Sequence, residues 1–158
     1  MKEHNILGVV LAGGKSSRFG TNKSLSMLAN NKLIEHVINK IDAYFSEILV
    51  ISNDSSLKLN NQKINIIKDC IKGHLGPLAG VLSAMKYANS FKNKYKWIVT
   101  FPCDTPFFDK NLINKIKNCP KNSSKKLFFL KSGSRRHNIF GLWSIELKDI
   151  LLEDINNG

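Results

Sequence analysis

With only three cysteines and four prolines in 158 residues, the sequence has few of the residues that constrain small secreted proteins. Cys70, Cys103 and Cys119 are odd in number and widely spaced, which argues against a disulfide framework or a zinc site and favours buried or half-buried free thiols. No apolar run approaches the roughly 18 residues of a membrane span, and the N-terminus lacks the apolar segment of a signal peptide. We therefore expect a cytoplasmic protein that does not contact membranes.

Arginine is also scarce, since it supplies only three of the 24 basic residues, although the formal net charge is +12. Recognition of base edges or phosphates favours the planar fork of arginine, so a lysine-rich chain favours a solvated surface over a nucleic-acid interface. The sequence shows no RNA-recognition, KH or helix-turn-helix pattern. One stretch suggests another use of the charge, because residues 110–136 hold nine basic residues and no acidic one.

Apolar residues make up 42% of the chain. Segments with short continuous apolar runs alternate along the sequence with segments in which apolar residues recur at helical spacing. The short runs predict strands at residues 6–11, 47–52, 64–68, 97–101, 126–131 and 138–143, with a loop at 132–136. Helical spacing predicts helices at 32–45, 77–88, from an Asp109 N-cap to 117, and after a Ser144 cap. The alternation predicts one α/β domain over residues 1–158, in three layers with a largely parallel central sheet.

A glycine-rich loop follows the first strand directly, at residues 11–23. Gly13 and Gly14 allow a ligand to approach the backbone, and successive amides in such a loop form an anion-binding concavity. Arg18 can hold phosphate oxygens with two parallel hydrogen bonds, and Lys23 supplies a compact positive charge. We therefore predict a phosphate-binding loop.

This loop differs from the two commonest nucleotide-binding motifs. A P-loop would need glycine where Val9 stands, and the dinucleotide fingerprint would need its second glycine where Lys15 stands. The loop therefore indicates a nucleotide-binding fold of another class.

Further motifs follow the loop in a fixed order. Its pattern is Leu-Ala-Gly-Gly-x-Ser-x-Arg-Phe-Gly-x-x-Lys, Asn53 follows the second strand, and Asp69 precedes Gly-Pro-Leu-Ala-Gly at 76–80. Pro-Cys-Asp-Thr-Pro-Phe stands at 102–107, and His-Asn-Ile-Phe-Gly-Leu-Trp at 137–143. From Ile6 to the last residue, this set resembles the MobA family of molybdenum cofactor guanylyltransferases.

The resemblance implies a three-layer, Rossmann-like fold of the nucleotidyltransferase type. The implied reaction transfers GMP from GTP to the terminal phosphate of molybdenum-bound molybdopterin and releases pyrophosphate, with Mg²⁺ as cofactor. Molybdoenzymes or cofactor-biosynthesis proteins are the implied protein partners. Gly13 and the 76–80 run favour the guanine branch over the cytidylyl relatives. The family normally continues beyond the last helix of this chain, so we expect its C-terminal part to be incomplete here.

The resemblance also implies the site residues. The catalytic set comprises Arg18, Lys23 and Asp104, and Asp104 would also bind the metal ion. The nucleotide-binding set comprises Leu11, Ala12, Gly13, Gly14, Lys23, Asn53, Asp69, Gly76, Pro77, Leu78, Ala79, Gly80 and Asp104. A carboxylate at the end of a strand suits Mg²⁺, which typically uses one or two protein carboxylates. Arg135 and Arg136, with Lys131, would hold the anionic pterin.

The residues alone leave plainer interpretations open. Asp104 could form a turn or cap a helix, and Asn53 and Asp69 could be ordinary loop residues. The 76–80 run could serve helix-to-sheet packing as well as a purine pocket. A relative that uses CTP or another phosphate acceptor, and a non-catalytic GTP-binding accessory protein, are the alternative functions.

Overall fold

Strands and helices alternate along the chain, and a computed structural model describes them for residues 5–13, 23–71 and 76–157. The strands are β1 (Ile6–Leu11), β2 (Met27–Leu28), β3 (Asn31–Lys32), β4 (Ile48–Ile51), β5 (Ile64–Ile67), β6 (Trp97–Pro102), β7 (Leu127–Ser132) and β8 (Arg135–Ser144). The helices are α1 (Leu33–Ile41), α2 (Pro77–Ser90), α3 (Asn111–Asn118) and α4 (Lys148–Asn157). Across these residues, no helix is both long and apolar enough to cross a membrane.

Within the described ranges, six strands form one sheet in the order β5-β4-β1-β6-β8-β7. The first four strands in this order are mutually parallel, β8 runs antiparallel to β6, and β7 runs antiparallel to β8. The predicted α/β fold with a largely parallel sheet is confirmed. A small antiparallel hairpin of β2 and β3 also forms, and its strands are too short to show a periodic pattern in the sequence.

Helices cover both faces of the sheet, because alternate residues of a strand point to opposite sides. Val10 and Val99 pack in one apolar cluster with residues of α1 and α3. Leu7 and Val9 pack in a second cluster with residues of α2 and α4. Gly8 has a packing role in the first layer, since a Cβ there would lie 2.9 Å from the ring of Phe45.

Two predicted boundaries were wrong for local reasons. Asp109 does not cap α3, which begins at Asn111 after Lys110; instead its carboxylate accepts the Asn111 amide at 2.8 Å in a preceding turn. The helix predicted at 32–45 is interrupted, because α1 ends at Ile41 and a 3-10 turn (Asp42–Tyr44) follows. The predicted cap at Ser144 is confirmed: its hydroxyl accepts the Glu146 amide at 3.3 Å in the 3-10 turn before α4.

The loop predicted at 132–136 was also wrong. Arg135 and Arg136 belong to β8 and lie opposite Ser132 and Lys131 of β7. Gly133 reverses the chain with a positive φ of 58°, so only the tip of a tight hairpin separates the two strands.

The prediction of buried or half-buried thiols holds for two cysteines. Cys103 and Cys119 are half-buried, whereas Cys70 is exposed, and none of the three forms a disulfide bond. Cys70 lies in a loop directly after the polar Asp69, where no run of apolar residues predicts burial.

Glu47 joins several elements at the edge of the sheet where β4 begins. One carboxylate oxygen accepts the Tyr87 hydroxyl at 2.6 Å and the Asn65 amide at 3.1 Å. The other accepts the Lys94 ammonium at 2.6 Å and the Tyr95 hydroxyl. Burial alone would raise the pKa of Glu47, but the hydrogen bonds from Lys94, Tyr87 and Tyr95 outweigh it and lower that pKa.

The same cluster affects its tyrosines. Burial and the hydrogen bond to Glu47 raise the pKa of Tyr95 to about 12. The Glu47 cluster thus ties β4, β5, α2 and the segment before β6 together through one charged acceptor.

We expect Glu47→Gln to lower the free energy of unfolding by about 1–3 kcal/mol near neutral pH, because hydrogen bonds to a charged acceptor are lost. Since the folded pKa is lowered, this stabilisation is present above the unfolded pKa and disappears as the pH falls through the folded pKa. Denaturant unfolding of both proteins at several pH values measures the difference.

The matched control is Glu146→Gln. Glu146 also pairs with a lysine at 2.6 Å, through Lys126, but its side chain is 65% exposed whereas that of Glu47 is 13% exposed. We expect no measurable loss there. A Glu47 effect that persists unchanged into strong acid would contradict the assignment to the carboxylate.

Candidate functional site

The carboxyl ends of the parallel strands meet at one edge of the sheet, where ligands of open α/β sheets bind. A cavity of about 650 Å³ opens there. Most of its lining falls in four segments, after β1, at the start of α2, after β6 and along β8: Leu11, Ala12, Gly13, Gly76, Pro77, Gly80, Pro102, Cys103, Asp104, Thr105, Arg135, Arg136, His137, Asn138, Ile139 and Phe140, together with Ser24, Ile51 and Asp69. Sequence motifs that are distant in the chain therefore share this main cavity.

Asn53 and Asp69 form a reciprocal pair at the ends of β4 and β5. The Asn53 side-chain amide donates to Asp69 Oδ2 at 2.9 Å, and the Asp69 backbone amide donates to Asn53 Oδ1 at 3.1 Å. Neighbouring parallel strands bring the two loops together, and the two hydrogen bonds fix the orientation of the carboxylate. Asn53 thus positions Asp69, although Asn53 itself does not line the main cavity.

Asp69 Oδ1 is the unusual atom of the site. It is buried and has no hydrogen-bond partner among the described residues. A buried carboxylate oxygen without a donor costs free energy. Because Asp69 lines the main cavity, this oxygen is placed to accept a hydrogen bond from a ligand.

Two glycines make room beside Asp69. A Cβ on Gly13 would lie 3.1 Å from Asp69 Oδ2. A Cβ on Gly80 would lie 3.0 Å from Leu11 Cδ2 and 3.5 Å from Asp69 Oδ1. The small residue at each position therefore keeps β1, α2 and the carboxylate close together.

The start of α2 forms one side of the cavity. Gly76 adopts a positive φ of 76° just before the helix, and Pro77 occupies its first turn, where a missing N–H costs nothing. The free amides and positive dipole end of such a turn favour anions. Of the predicted run, Gly76, Pro77 and Gly80 line the cavity, whereas Leu78 is exposed and Ala79 is buried in the core.

Asp104 follows β6 and lines the same cavity with an exposed carboxylate. The Thr105 hydroxyl donates to it at 3.2 Å. In the described part of the chain, no three acidic, histidine or cysteine side chains cluster as a preformed metal site. A single accessible carboxylate still fits Mg²⁺, which takes its other ligands from phosphates and water.

The opposite side of the cavity is the β8 wall, defined here as residues 135–140. The side chains of Arg135 and Arg136 are exposed, and His137 Nε2 shares a hydrogen bond of 2.7 Å with the Ser132 hydroxyl. Lys131 lies opposite Arg136 on β7 but outside the cavity lining. Arg135 and Arg136 therefore line the cavity from β8, which three strands (β4, β1 and β6) separate from β5, the strand that precedes Asp69.

Several predicted site residues cannot be placed. Gly14 and Arg18 lie outside the described residues, and for Lys23 only the backbone, at the start of a 3-10 turn, is described.

The lining residues that were not predicted as site residues fall into two groups. Pro102, Cys103, Thr105 and residues 137–140 lie within the motifs found in the sequence, whereas Ser24 and Ile51 lie outside them. Ile51 could have been found as the last apolar residue of a predicted parallel strand. Ser24 is fully buried, and its burial comes from packing that no local pattern reveals.

The sequence profile of the MobA-like NTP transferase domain matches residues 8–157. The chain belongs to this family. It is therefore a nucleotidyltransferase, as the motifs predicted.

Named relatives agree with this membership. A molybdenum cofactor guanylyltransferase of Haemophilus influenzae (strain 86-028NP) is 34% identical over 154 residues, which cover 97% of this chain and 78% of the relative. A protein of the same name from Yersinia pseudotuberculosis serotype O:1b (strain IP 31758) is 33% identical over 155 residues, with coverage of 98% and 76%.

Solved structures share the fold. A molybdopterin-guanine dinucleotide biosynthesis protein A from Archaeoglobus fulgidus superposes with a TM-score of 0.77 at 24% identity, covering 96% of this chain and 74% of that one. A 4-diphosphocytidyl-2C-methyl-D-erythritol synthase from Anaerococcus prevotii gives 0.67 at 10% identity, covering 98% and 76%. At these identities the likeness shows the fold alone, which agrees with the predicted three-layer α/β fold.

Proposed function

We propose that this chain, acting as one domain, transfers GMP from GTP to the terminal phosphate of molybdenum-bound molybdopterin and releases pyrophosphate. The names of its relatives support the reaction. The choice of nucleotide is supported by Oδ1 of Asp69, which is buried at the main cavity and has no hydrogen-bond partner in the described part of the chain.

A guanine base complements this carboxylate. Guanine presents two adjacent donors, N1–H and the N2 amino group, whereas adenine and cytosine each place a ring acceptor beside the amino group. Asp69 Oδ2 already accepts from Asn53, and a carboxylate oxygen has capacity for a further donor. Two donors on two oxygens therefore favour GTP over ATP and CTP.

Mg²⁺ fits beside the phosphates of the bound nucleotide. Asp104 would hold it, with phosphate oxygens and water as its other ligands. The ion, when bound, supplies neutralisation of phosphate charge. Arg18 and Lys23, from the glycine-rich loop, are proposed to stabilise the charge that shifts toward the leaving group.

The transfer itself needs positioning more than covalent chemistry. An oxygen of the acceptor phosphate attacks the α-phosphorus of GTP in line. The new P–O bond forms as the bond between the α-phosphorus and the bridging oxygen breaks, and pyrophosphate departs with that oxygen. The β8 wall, with Arg135 and Arg136, would receive the anionic acceptor opposite the nucleotide.

The cytoplasm is the proposed location, in line with half-buried Cys103 and Cys119 that form no disulfide bond. Molybdoenzymes or other cofactor-biosynthesis proteins are the proposed recipients of the product.

The function is tested by incubating the chain with Mg²⁺, molybdopterin carrying molybdenum, and GTP, CTP or ATP in turn. We expect guanine dinucleotide and pyrophosphate from GTP alone. Asp104→Ala should lower turnover by about a hundredfold or more, as expected when a charge-stabilising group is removed, while GTP binding without Mg²⁺ persists. Efficient use of CTP, or full activity of Asp104→Ala, would overturn the proposal.

Asp69→Asn tests guanine recognition directly. The substitution removes one acceptor, so we expect GTP affinity to fall by about tenfold or more. Inosine triphosphate lacks the N2 amino group, so the preference of the unmodified protein for GTP over inosine triphosphate should largely vanish in the variant. Calorimetric titration measures both dissociation constants.

Asp154→Asn is the matched control, because it removes the same charge from an exposed position on α4. An unchanged GTP-to-inosine preference in Asp69→Asn would show that the carboxylate does not contact the base.

Arg135→Ala combined with Arg136→Ala tests the acceptor side. We expect weaker molybdopterin binding, by about tenfold or more since charge-assisted hydrogen bonds are lost, and unchanged GTP binding. Lys115→Ala with Lys121→Ala removes two exposed charges from the same basic stretch and should alter neither. Equal loss of both ligands in the arginine variant would refute the assignment.

A further inference from the structure

Two hydroxyl groups, one on α2 and one on β6, are buried next to segments that line the main cavity. Ser83 of α2 is 2% exposed and Thr100 of β6 is fully buried. Neither residue lines the cavity. Both use their hydroxyl group to join backbone segments that do line it or flank it.

Ser83 ties the Asp69 loop to α2. Its hydroxyl accepts the Cys70 backbone amide at 2.8 Å and donates to the Ala79 carbonyl at 2.8 Å. A serine inside a helix commonly donates to the carbonyl four residues earlier. Here the Ser83 oxygen also accepts the backbone amide of Cys70, the residue directly after Asp69. The loop that carries the carboxylate is therefore anchored to the helix whose start forms the cavity.

Thr100 ties β6 to the β8 wall at the point where the two strands separate. The backbone register of β6 with β8 ends at the Thr100–Gly141 pair. Between β7 and β8, Phe129 pairs with Gly141 and Leu130 with His137, so residues 138–140 have no counterpart on β7. Residues 138–140 of the wall therefore lack register partners on both β6 and β7, whereas residues 135–137 pair with β7.

The Thr100 hydroxyl compensates for this gap. It donates to the Ile139 carbonyl at 2.5 Å and accepts the Trp143 indole N–H at 2.9 Å. Ile139 is itself a lining residue, and buried backbone carbonyls require partners. One side chain therefore extends the β6–β8 connection two residues beyond the last register pair, into the wall that carries Arg135 and Arg136.

We propose that Ser83 and Thr100 are positioning residues that act on opposite substrates, Ser83 by orienting Asp69 toward the nucleotide and Thr100 by holding the β8 wall for the acceptor. This inference rests on the proposed function for its choice of substrates. The division itself follows from the hydrogen bonds.

The experiment compares Ser83→Ala, Thr100→Val and Thr100→Ser in the full chain. We expect Thr100→Val to raise the KM for molybdopterin about tenfold, as loss of one buried hydrogen bond allows, with the GTP dissociation constant unchanged. Thr100→Ser should restore the acceptor KM. Ser83→Ala should show the reverse split, weakening GTP binding and leaving the acceptor KM unchanged.

Ser144→Ala is the control for a purely structural hydroxyl. Ser144 is buried, caps a 3-10 turn and lies at the other end of β8. We expect a lower Tm but unchanged KM for both substrates. If Thr100→Val does not fold, Thr100→Cys, which keeps the size of the side chain and weakens its hydrogen bonding, takes its place.

Hydrogen–deuterium exchange provides a readout that does not depend on catalysis. In Thr100→Val we expect faster exchange at residues 135–141 and unchanged exchange at 69–71. In Ser83→Ala we expect faster exchange at 69–71 and unchanged exchange at 135–141. Exchange or kinetic changes that spread equally over both sides would overturn the division. If the exchange pattern is as expected but the chain forms no guanine dinucleotide, the proposed function is wrong. The roles of Ser83 and Thr100 in positioning the two segments would then still be supported.

Discussion

The central constraint is the parallel pairing of β1 with β4 on one side and β6 on the other. Parallel strands bring their carboxyl ends to one edge of the sheet, so Gly13, Asn53 and Asp104 reach the same region from distant parts of the sequence. The pairing depends on burial of both faces, which the α1 and α3 cluster and the α2 and α4 cluster provide. Close packing at Gly8 and Gly80 keeps these layers near β1.

The carboxylates at the two edges of the sheet differ in how many hydrogen bonds they accept. At the edge where β4 begins, Glu47 is saturated by donors from four residues and acts as a structural anchor. At the other edge, Asp69 has one oxygen that accepts from Asn53 and one that is buried with no donor among the described residues. A satisfied carboxylate stabilises the fold, whereas an unsatisfied one lowers stability until a ligand supplies the missing hydrogen bond.

The two sides of the cavity also differ in how they are built. The side formed by Asp69 and the start of α2 consists of regular parallel strands and a helix start, whose geometry the fold itself determines. The β8 wall is irregular, since residues 138–140 have no counterpart on β7 and Ile139 depends on the Thr100 hydroxyl. Irregular strands can direct side chains into a cavity that a regular ladder would close. The basic charge of residues 110–136 reaches the cavity only through this wall, at Arg135 and Arg136.

The sequence by itself determined the order along the chain of the six strands of the main sheet and of the helices, and most of the segments that line the cavity, because apolar periods and short motifs are local. It also allowed the α/β class to be predicted and Gly13, Asp69 and Asp104 to be proposed as site residues. Only the tertiary structure decided that Arg135 and Arg136 lie in a strand, that Ser24 lines the cavity, and that Asp69 Oδ1 is buried with no donor among the described residues. Each of these depends on contacts between segments distant in the chain, and such contacts leave no periodic pattern in the segments that make them.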